Sequence, residues 1–290
     1  MSNEVAEIQM DEVEWALRKS NAKKAPSPDG ISSAFYTENW ETVKNELREV
    51  ISNMMRKKPN GEQQNQGMII CLPKKDCKNT PEGYRPITLL NIDYKILARI
   101  IMQRLRPTLE KLHESQFCSV PGNCIFDAVS TIREAIAQAE ITATPLCVLS
   151  LDFKEAFNRI SHEYLFAVLE NYKISRSTIN GVMNLYTQAT STVQINGHLS
   201  DPIPIRCAVR QGCPMSMSLY ALCLHPLLNL FSKKLAALKI GTKNQRTAAV
   251  AYADNITLLI TVPNDLIKVR DIINSFEKAS GAIININQKR

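Results

Sequence analysis

The sequence predicts an α+β protein. Three observations carry that expectation: stretches with apolar residues at helical spacing, short apolar runs of strand length between them, and turn residues separating the two kinds. The 290 residues are 44% hydrophobic, which supplies a core and argues against disorder over most of the length. No internal repeat or low-complexity stretch breaks the pattern.

The elements follow in chain order. Val5 to Asn21 reads as a short helix that runs into Lys23–Gly30, a proline-rich turn with a glycine exit. Trp40, Val43, Leu47, Val50, Ile51 and Met54 share one face of a helix that stops before Pro59. Met68–Leu72 and Tyr84–Leu90 read as two strands joined by a polar loop. Asp93 is placed to N-cap the next helix, whose apolar stripe is Leu97, Ile100, Ile101 and Leu105. Lys95, Arg99 and Arg106 lie away from that stripe as a basic edge, and Pro107 ends or kinks the helix. Ile125, Val129, Ile132 and Ile136 mark another amphipathic helix.

Leu146–Leu151 is continuously apolar, as in a buried strand, and a helix follows from about Glu155. Thr192–Ile195 reads as a strand with Asn196-Gly197 as its hairpin turn. Pro214–Lys233 is helical and largely apolar. Thr247–Ile260 is small and apolar on both sides of Asp254-Asn255, a pair suited to a tight hairpin tip. A last helix, Asp265–Lys278, ends at Ser280-Gly281.

Charge and cysteines bound the function. The formal net charge of +7 is a mild pull toward a polyanion. Basic residues gather at Arg18, Lys19, Lys23 and Lys24, at Arg56–Lys58, and at Lys74, Lys75 and Lys78; each run also reads as solvated surface. The eight cysteines include no C-x-x-C, and His113, Cys118 and Cys124 lack a fourth ligand and finger-like spacing. Reduced thiols in an intracellular protein, nuclear or cytoplasmic, are expected. There is no signal peptide, and no apolar run reaches the ~20 residues of a membrane span.

Two acidic residues sit where chemistry often sits. Asp152 ends the Leu146–Leu151 run, where it is either the N-cap of the next helix or a metal ligand. Asp254 lies at the tip of a hairpin between apolar arms.

Six sequence blocks carry a resemblance. Leu151-Asp152-Phe153-Lys154-Glu155-Ala156-Phe157-Asn158 resembles the D-x-x-x-A-F-D block of reverse transcriptases from non-LTR (LINE-type) retrotransposons. Arg210-Gln211-Gly212-Cys213-Pro214-Met215-Ser216 is similar to R-Q-G-C-P-L-S, and Tyr252-Ala253-Asp254-Asn255 to Y-A-D-D. Upstream, Lys24–Gly30 resembles K-A-P-G-P-D-G, Tyr84–Leu90 resembles Y-R-P-I-S-L-L, and Gln116 with Val120-Pro121-Gly122 resembles Q-x-G-F-x-P-G-R-S. The order and spacing agree from about residue 8 to the end.

The resemblance implies the fingers and palm of a right-hand polymerase, the palm being a small antiparallel sheet backed by helices. Residues 1–140 would be an N-terminal arm and fingers with part of the palm helices, and 141–290 the palm; thumb and endonuclease have no counterpart here. It implies RNA-directed addition of dNTPs to a DNA primer on an RNA template by two-metal catalysis, with Mg²⁺ ions about 3.5–4 Å apart, or Mn²⁺ in their place. Asp152, Asp254 and the carbonyl of Phe153 would hold the ions. Phe157 would exclude a 2′-hydroxyl, although a core phenylalanine is the plain alternative. Lys74 and Arg85 would grip the triphosphate, or else be exposed strand charges. Gly212 would let the backbone approach the template–primer pair, with Gln211 hydrogen-bonding near it. Arg210 would contact nucleic acid, while Lys95, Arg99 and Arg106 would track template phosphates or be a solvated face.

The chain departs from the pattern at charged positions. Asn255 replaces the second Asp of Y-A-D-D, Asn158 the Asp of A-F-D, and Asn123 the Arg of P-G-R-S. Ser280-Gly281 and Asn285 match S-G-x-x-x-N-x-x-K, but Gln288 holds the lysine position. Weakened or lost activity in a truncated or decayed copy is the expectation; whether a partner chain supplies the thumb or endonuclease is left open by the sequence. The alternative is a catalytically degenerate retroelement remnant that binds RNA or RNA–DNA. Further rivals are another palm polymerase and a structural protein with a cysteine-bound metal.

Overall fold

The computed structural model describes residues 7–20, 28–56, 65–74, 80–112, 115–240 and 245–285. In chain order the helices and strands are α1 (Met10–Arg18), α2 (Ser33–Glu38), α3 (Trp40–Arg56), β1 (Gln66–Pro73), β2 (Tyr84–Leu90), α4 (Ile92–Leu109) and α5 (Ile125–Ile141). Next come β3 (Cys147–Leu151), α6 (Ala156–Arg159), α7 (His162–Asn171), α8 (Arg176–Tyr186), β4 (Thr190–Ile195), β5 (His198–Leu199) and β6 (Ile203–Pro204). The chain continues through α9 (Ser216–Lys234), β7 (Leu238–Ile240), β8 (Gln245–Thr247), β9 (Ala249–Tyr252), β10 (Asn255–Ile260) and α10 (Asp265–Ser280). The α+β expectation holds.

These elements form two compact units. The first comprises Met1–Leu105, Leu169–Arg206 and Arg210–Ser216; the second comprises Arg106–Val168, Cys207–Val209 and Met217–Arg290. In the first unit, the expected strands on either side of the polar loop pair antiparallel as β1 and β2, from Gly67↔Leu90 to Pro73↔Tyr84. β1 also pairs parallel with β4, a link between distant segments that local sequence pattern does not announce. Buried amides tie α3 to α8: Asn184 donates to the carbonyls of Met54 and Met55, which lie in the last turn of α3 and have no partner further along the helix.

The second unit is built on the antiparallel sheet β3–β10–β9. β10 is central and mostly buried. The segment around Gln116 adds a parallel bridge to Ala251 of β9: Ala251 N–H donates to Ser115 O at 2.7 Å, and Phe117 N–H to Ala251 O at 2.9 Å. A core cluster joins Ala128, Ala135 and Ala139 of α5 to Leu238, Ile240, Val250 and Leu259. Phe276 of α10 meets Phe153 and Tyr164 edge-on.

Several expectations change. In α5 the alanines face the core, while Ile125, Val129 and Ile136 are exposed and only Ile132 packs against the cluster. Small side chains let the helix lie close to its sheet, so size overrides apolar strength. β3 is an edge strand whose first four residues are at least partly exposed, so its continuous apolar run does not signal burial on both faces. Asp93 sits within the first turn of α4 rather than before it, where its carboxylate accepts from Tyr94 N–H at 2.6 Å. Pro107 is carried inside α4 rather than ending it. The helix expected from Glu155 is the four-residue α6, followed by α7 as a separate helix. Residues 5, 6 and 21 of the first expected helix, and 24–27 of the K-A-P-S-P-D-G block, lie outside the described residues, as do Lys23, Lys57, Lys58, Lys75, Lys78, His113 and Gln288.

Candidate active site

Strand register brings the two acidic residues together. Leu151, the last residue of β3, pairs with Ile256 of β10, so Asp152 leaves β3 beside the start of β10. Tyr252 pairs with Asn255, and Ala253-Asp254 make the turn between β9 and β10. Ala253 takes the left-handed conformation at φ 55°, which a two-residue hairpin turn demands. Both carboxylates therefore stand at the same end of one sheet. Burial pushes the half-buried Asp254 carboxyl above its ordinary 3.8, and the charge of Asp152 adds to the shift.

Phe153 is buried and packs its ring on Phe276, while its backbone makes an isolated bridge with Ile284. The hydrogen bonds of that bridge use Asp152 O and Lys154 N, so the Phe153 carbonyl takes no part in it. Asp152 is itself held by Asn285, whose Nδ2 donates to Asp152 Oδ2 at 3.1 Å.

Phe157 lies half-buried in α6 with its ring against Tyr220 of α9, centroids 4.6 Å apart and planes inclined 31°. The Tyr220 hydroxyl is buried and has no hydrogen-bond partner among the described residues. Burial pushes its pKa up, and the charge of Asp254, with smaller contributions from Cys223 and Asp152, adds to the shift. Tyr220 was not among the sequence candidates, because an aromatic in the apolar run of α9 reads as ordinary core.

In the first unit, Lys74 and Arg85 are both exposed at one end of the β1–β2 hairpin. Lys74 N–H donates to Gly83 O at 2.8 Å, extending the ladder past Pro73, and Arg85 pairs with Leu72. With side chains alternating along each strand, Lys74 and Arg85 share a face. Gly212 sits at φ 107°, and a Cβ there would run into the carbonyl oxygen of Thr88. Thr88 N–H donates to Gln211 O at 2.8 Å. The close approach that glycine permits is thus to β2 of this chain, where a template–primer contact was expected.

One basic candidate, Arg210, is corrected, and a second, Arg99, is engaged within the chain. Arg210 is 3% exposed, donates through Nη2 to Asn65 O at 2.6 Å and Thr190 O at 3.2 Å, and lies 5.5 Å from the Tyr94 ring centroid. It is an internal clamp on separate backbone segments and offers no surface to a nucleic acid. Arg99 is half-buried and donates to Ala16 O at 3.3 Å and Ser20 Oγ at 2.8 Å, tying α4 to the end of α1. Arg106 is exposed and paired with Glu110 at 3.1 Å, and Lys95 is partly exposed.

Two half-exposed carboxylates that repel each other are hard oxygen donors, and they fit a hard divalent cation such as Mg²⁺. Among the described residues no group of three or more His, Cys, Asp or Glu side chains gathers to hold a metal, and Asn255 stands exposed where the resemblance has a further carboxylate. The cysteines of the described residues are free thiols. No helix among those residues is long and apolar enough to cross a membrane.

Comparison with known proteins agrees with this geometry. Residues 72–289 match the family model described as reverse transcriptase (RNA-dependent DNA polymerase). The chain is 34% identical over 279 residues to the uncharacterized 149 kDa protein of transposon TX1 from Xenopus laevis, covering 96% of this chain and 21% of that protein. It is 28% identical over 192 residues to the Pol polyprotein of a type-1 retrotransposable element R2 from Popillia japonica, covering 65% of this chain and 26% of the other. A probable RNA-directed DNA polymerase from transposon BS of Drosophila melanogaster is 25% identical, with 76% of this chain and 25% of that one covered. The chain thus spans about a fifth to a quarter of the length of these relatives. Among solved structures, apo telomerase from Candida tropicalis shares the fold at a TM-score of 0.57 and 15% identity, over 93% of this chain and 52% of that chain. The chain belongs to the reverse transcriptase (RNA-dependent DNA polymerase) family, and the relatives it matches are proteins of transposons and retrotransposable elements.

Proposed function

We propose that this chain is the polymerase region of a retrotransposon protein, adding dNTPs to a primer 3′ end on an RNA template. The observation that carries the reading is the pairing of Asp152 with Asp254 at one end of the β3–β10–β9 sheet, close enough that one charge raises the proton affinity of the other. When bound there, Mg²⁺ or Mn²⁺ lowers the pKa of the attacking hydroxyl and neutralises the leaving pyrophosphate. Asp152 and Asp254 would hold the ions, with the Phe153 carbonyl as a further oxygen donor. Phe157, backed by Tyr220, presents its ring to the sugar. Lys74 and Arg85 are the proposed triphosphate ligands, Lys as a point charge and Arg as a bidentate fork. Lys95 and Arg106 remain the candidates for template phosphates. In this reading residues 141–290 supply the palm and residues 1–140 the arm and fingers with part of the palm helices.

Asn255 favours a second reading, a remnant that binds nucleic acid with little chemistry, because an amide leaves the hairpin one negative charge short beside two dications. Primer extension on an RNA template, with Mg²⁺ and with Mn²⁺, separates the two. The polymerase reading expects dNTP incorporation that Asn255→Asp increases and Asp152→Ala removes. Salt-sensitive RNA binding with no incorporation, even in Asn255→Asp, leaves only the remnant.

A further inference from the structure

We propose that Asn285 is a positioning residue for Asp152: it fixes one carboxylate oxygen by hydrogen bond and leaves the other directed to a divalent cation. This rests on the polymerase reading of Asp152.

The argument starts where β3 loses its partner. Leu151↔Ile256 is the last pair between β3 and β10. Beyond it the chain pairs with the segment after α10 instead. Lys154 N–H donates to Ile283 O at 2.8 Å and Asn285 N–H to Asp152 O at 2.8 Å, flanking the Phe153↔Ile284 bridge.

That segment is held in place on several sides. Gly281 caps α10 in the left-handed conformation at φ 79°, and a Cβ there would come within 2.8 Å of Arg159 O. Ser161 N–H donates to Ser280 O at 2.8 Å, and Ile284 N–H to the Glu277 carboxylate at 2.7 Å. Asn285 therefore reaches Asp152 on a braced backbone and meets it twice, through its own N–H and through Nδ2 to Oδ2 at 3.1 Å.

The chemistry of the partner matters. Asp254 stands at the same end of the sheet with the same charge, so an Asp152 side chain without its tether would turn away from the site before a cation arrives. A lysine or arginine at 285 would hold the carboxylate but compete with the cation, and an acid would add to the repulsion. A neutral amide does neither. Partners of this kind that orient a metal ligand typically account for 10–100-fold in metal affinity.

The test is Mn²⁺ binding to the whole chain without nucleotide, read by electron paramagnetic resonance of the free ion. Four proteins are compared: the parent, Asp152→Ala, Asn285→Ala and Asn285→Gln. Asn285→Ala is expected to weaken Mn²⁺ binding about tenfold. Asn285→Gln keeps the amide but displaces it by a methylene, and is expected to weaken binding as well. A brace of purely structural use would tolerate Gln and show a lowered melting temperature in Ala without loss of Mn²⁺ affinity; that result overturns the proposal. Strong loss in Asp152→Ala with both Asn285 variants unchanged overturns the positioning role alone. Mn²⁺ binding indifferent to Asp152→Ala overturns the polymerase reading and this role with it.

Discussion

Arg210 and Asp254 both come from sequence blocks that suggest chemistry, and the fold treats them in opposite ways. Arg210, in the first unit, is buried and surrounded by the carbonyls of Asn65 and Thr190 and the ring of Tyr94. Asp254, in the second, stays half-buried with another carboxylate for a neighbour. Arg210 meets backbone carbonyls through Nη2 alone, its buried Nε and Nη1 having no hydrogen-bond partner among the described residues, whereas Asp254 keeps access to solvent. A motif residue sealed from solvent serves the scaffold; a carboxylate left beside solvent and a like charge is available to a ligand.

The contrast can be broken in three ways. The largest effect is expected at Asp152: Asp152→Ala should lower primer extension by at least about a thousandfold while the melting temperature moves by no more than ~2 °C, since the side chain supports no core. Parallel calorimetry and extension assays would show whether activity and stability separate in this way. Arg210→Met should do the reverse. It leaves the Asn65 and Thr190 carbonyls without their donor and should cost about 2–4 kcal/mol of unfolding free energy in urea titration. An Arg210→Met protein of parental stability with weakened RNA affinity would restore a nucleic-acid role for this residue.

The smallest effect concerns pH. Because the folded pKa of Asp254 is raised above 3.8, the group binds its proton more tightly folded than unfolded. Its contribution to stability is fully present below about 3.8 and is lost as pH rises through the folded value. Asp254→Asn removes that loss. At pH 7 the variant should be slightly the more stable, the effect being reduced by solvent screening. The gain should fade on acidification and vanish below the unfolded pKa. Melting curves from pH 3 to pH 8 would check it, and a gain independent of pH would place the cause elsewhere.

Much of this arrangement was legible before the coordinates. The Tyr84–Leu90 strand and the apolar arms around Asp254-Asn255 declared themselves by composition and formed with the expected partners, but the turn falls on Ala253-Asp254, one residue earlier than the Asp254-Asn255 tip that turn chemistry suggested. The acids were found because they end apolar segments. What was hidden depended on neighbours distant in sequence. Nothing local to Arg210 says that carbonyls at 65 and 190 will close around it, and nothing near Gly212 points to Thr88. The exposure of β3 could not be read from its apolar run, because an edge strand is defined by the partner it lacks. Asn285 drew notice only as part of a block, and its bond to Asp152 spans 133 positions.

The alanine face of α5 has a practical corollary. By spending its small residues on close approach to the sheet, the helix turns Ile125, Phe126, Val129 and Ile136 outward, and Phe126 is 77% exposed. Such a stripe makes a purified sample prone to self-association as concentration rises. Replacing Phe126 and Ile136 with glutamate should give a better-behaved preparation for the metal and nucleotide work, since neither side chain is part of the buried cluster.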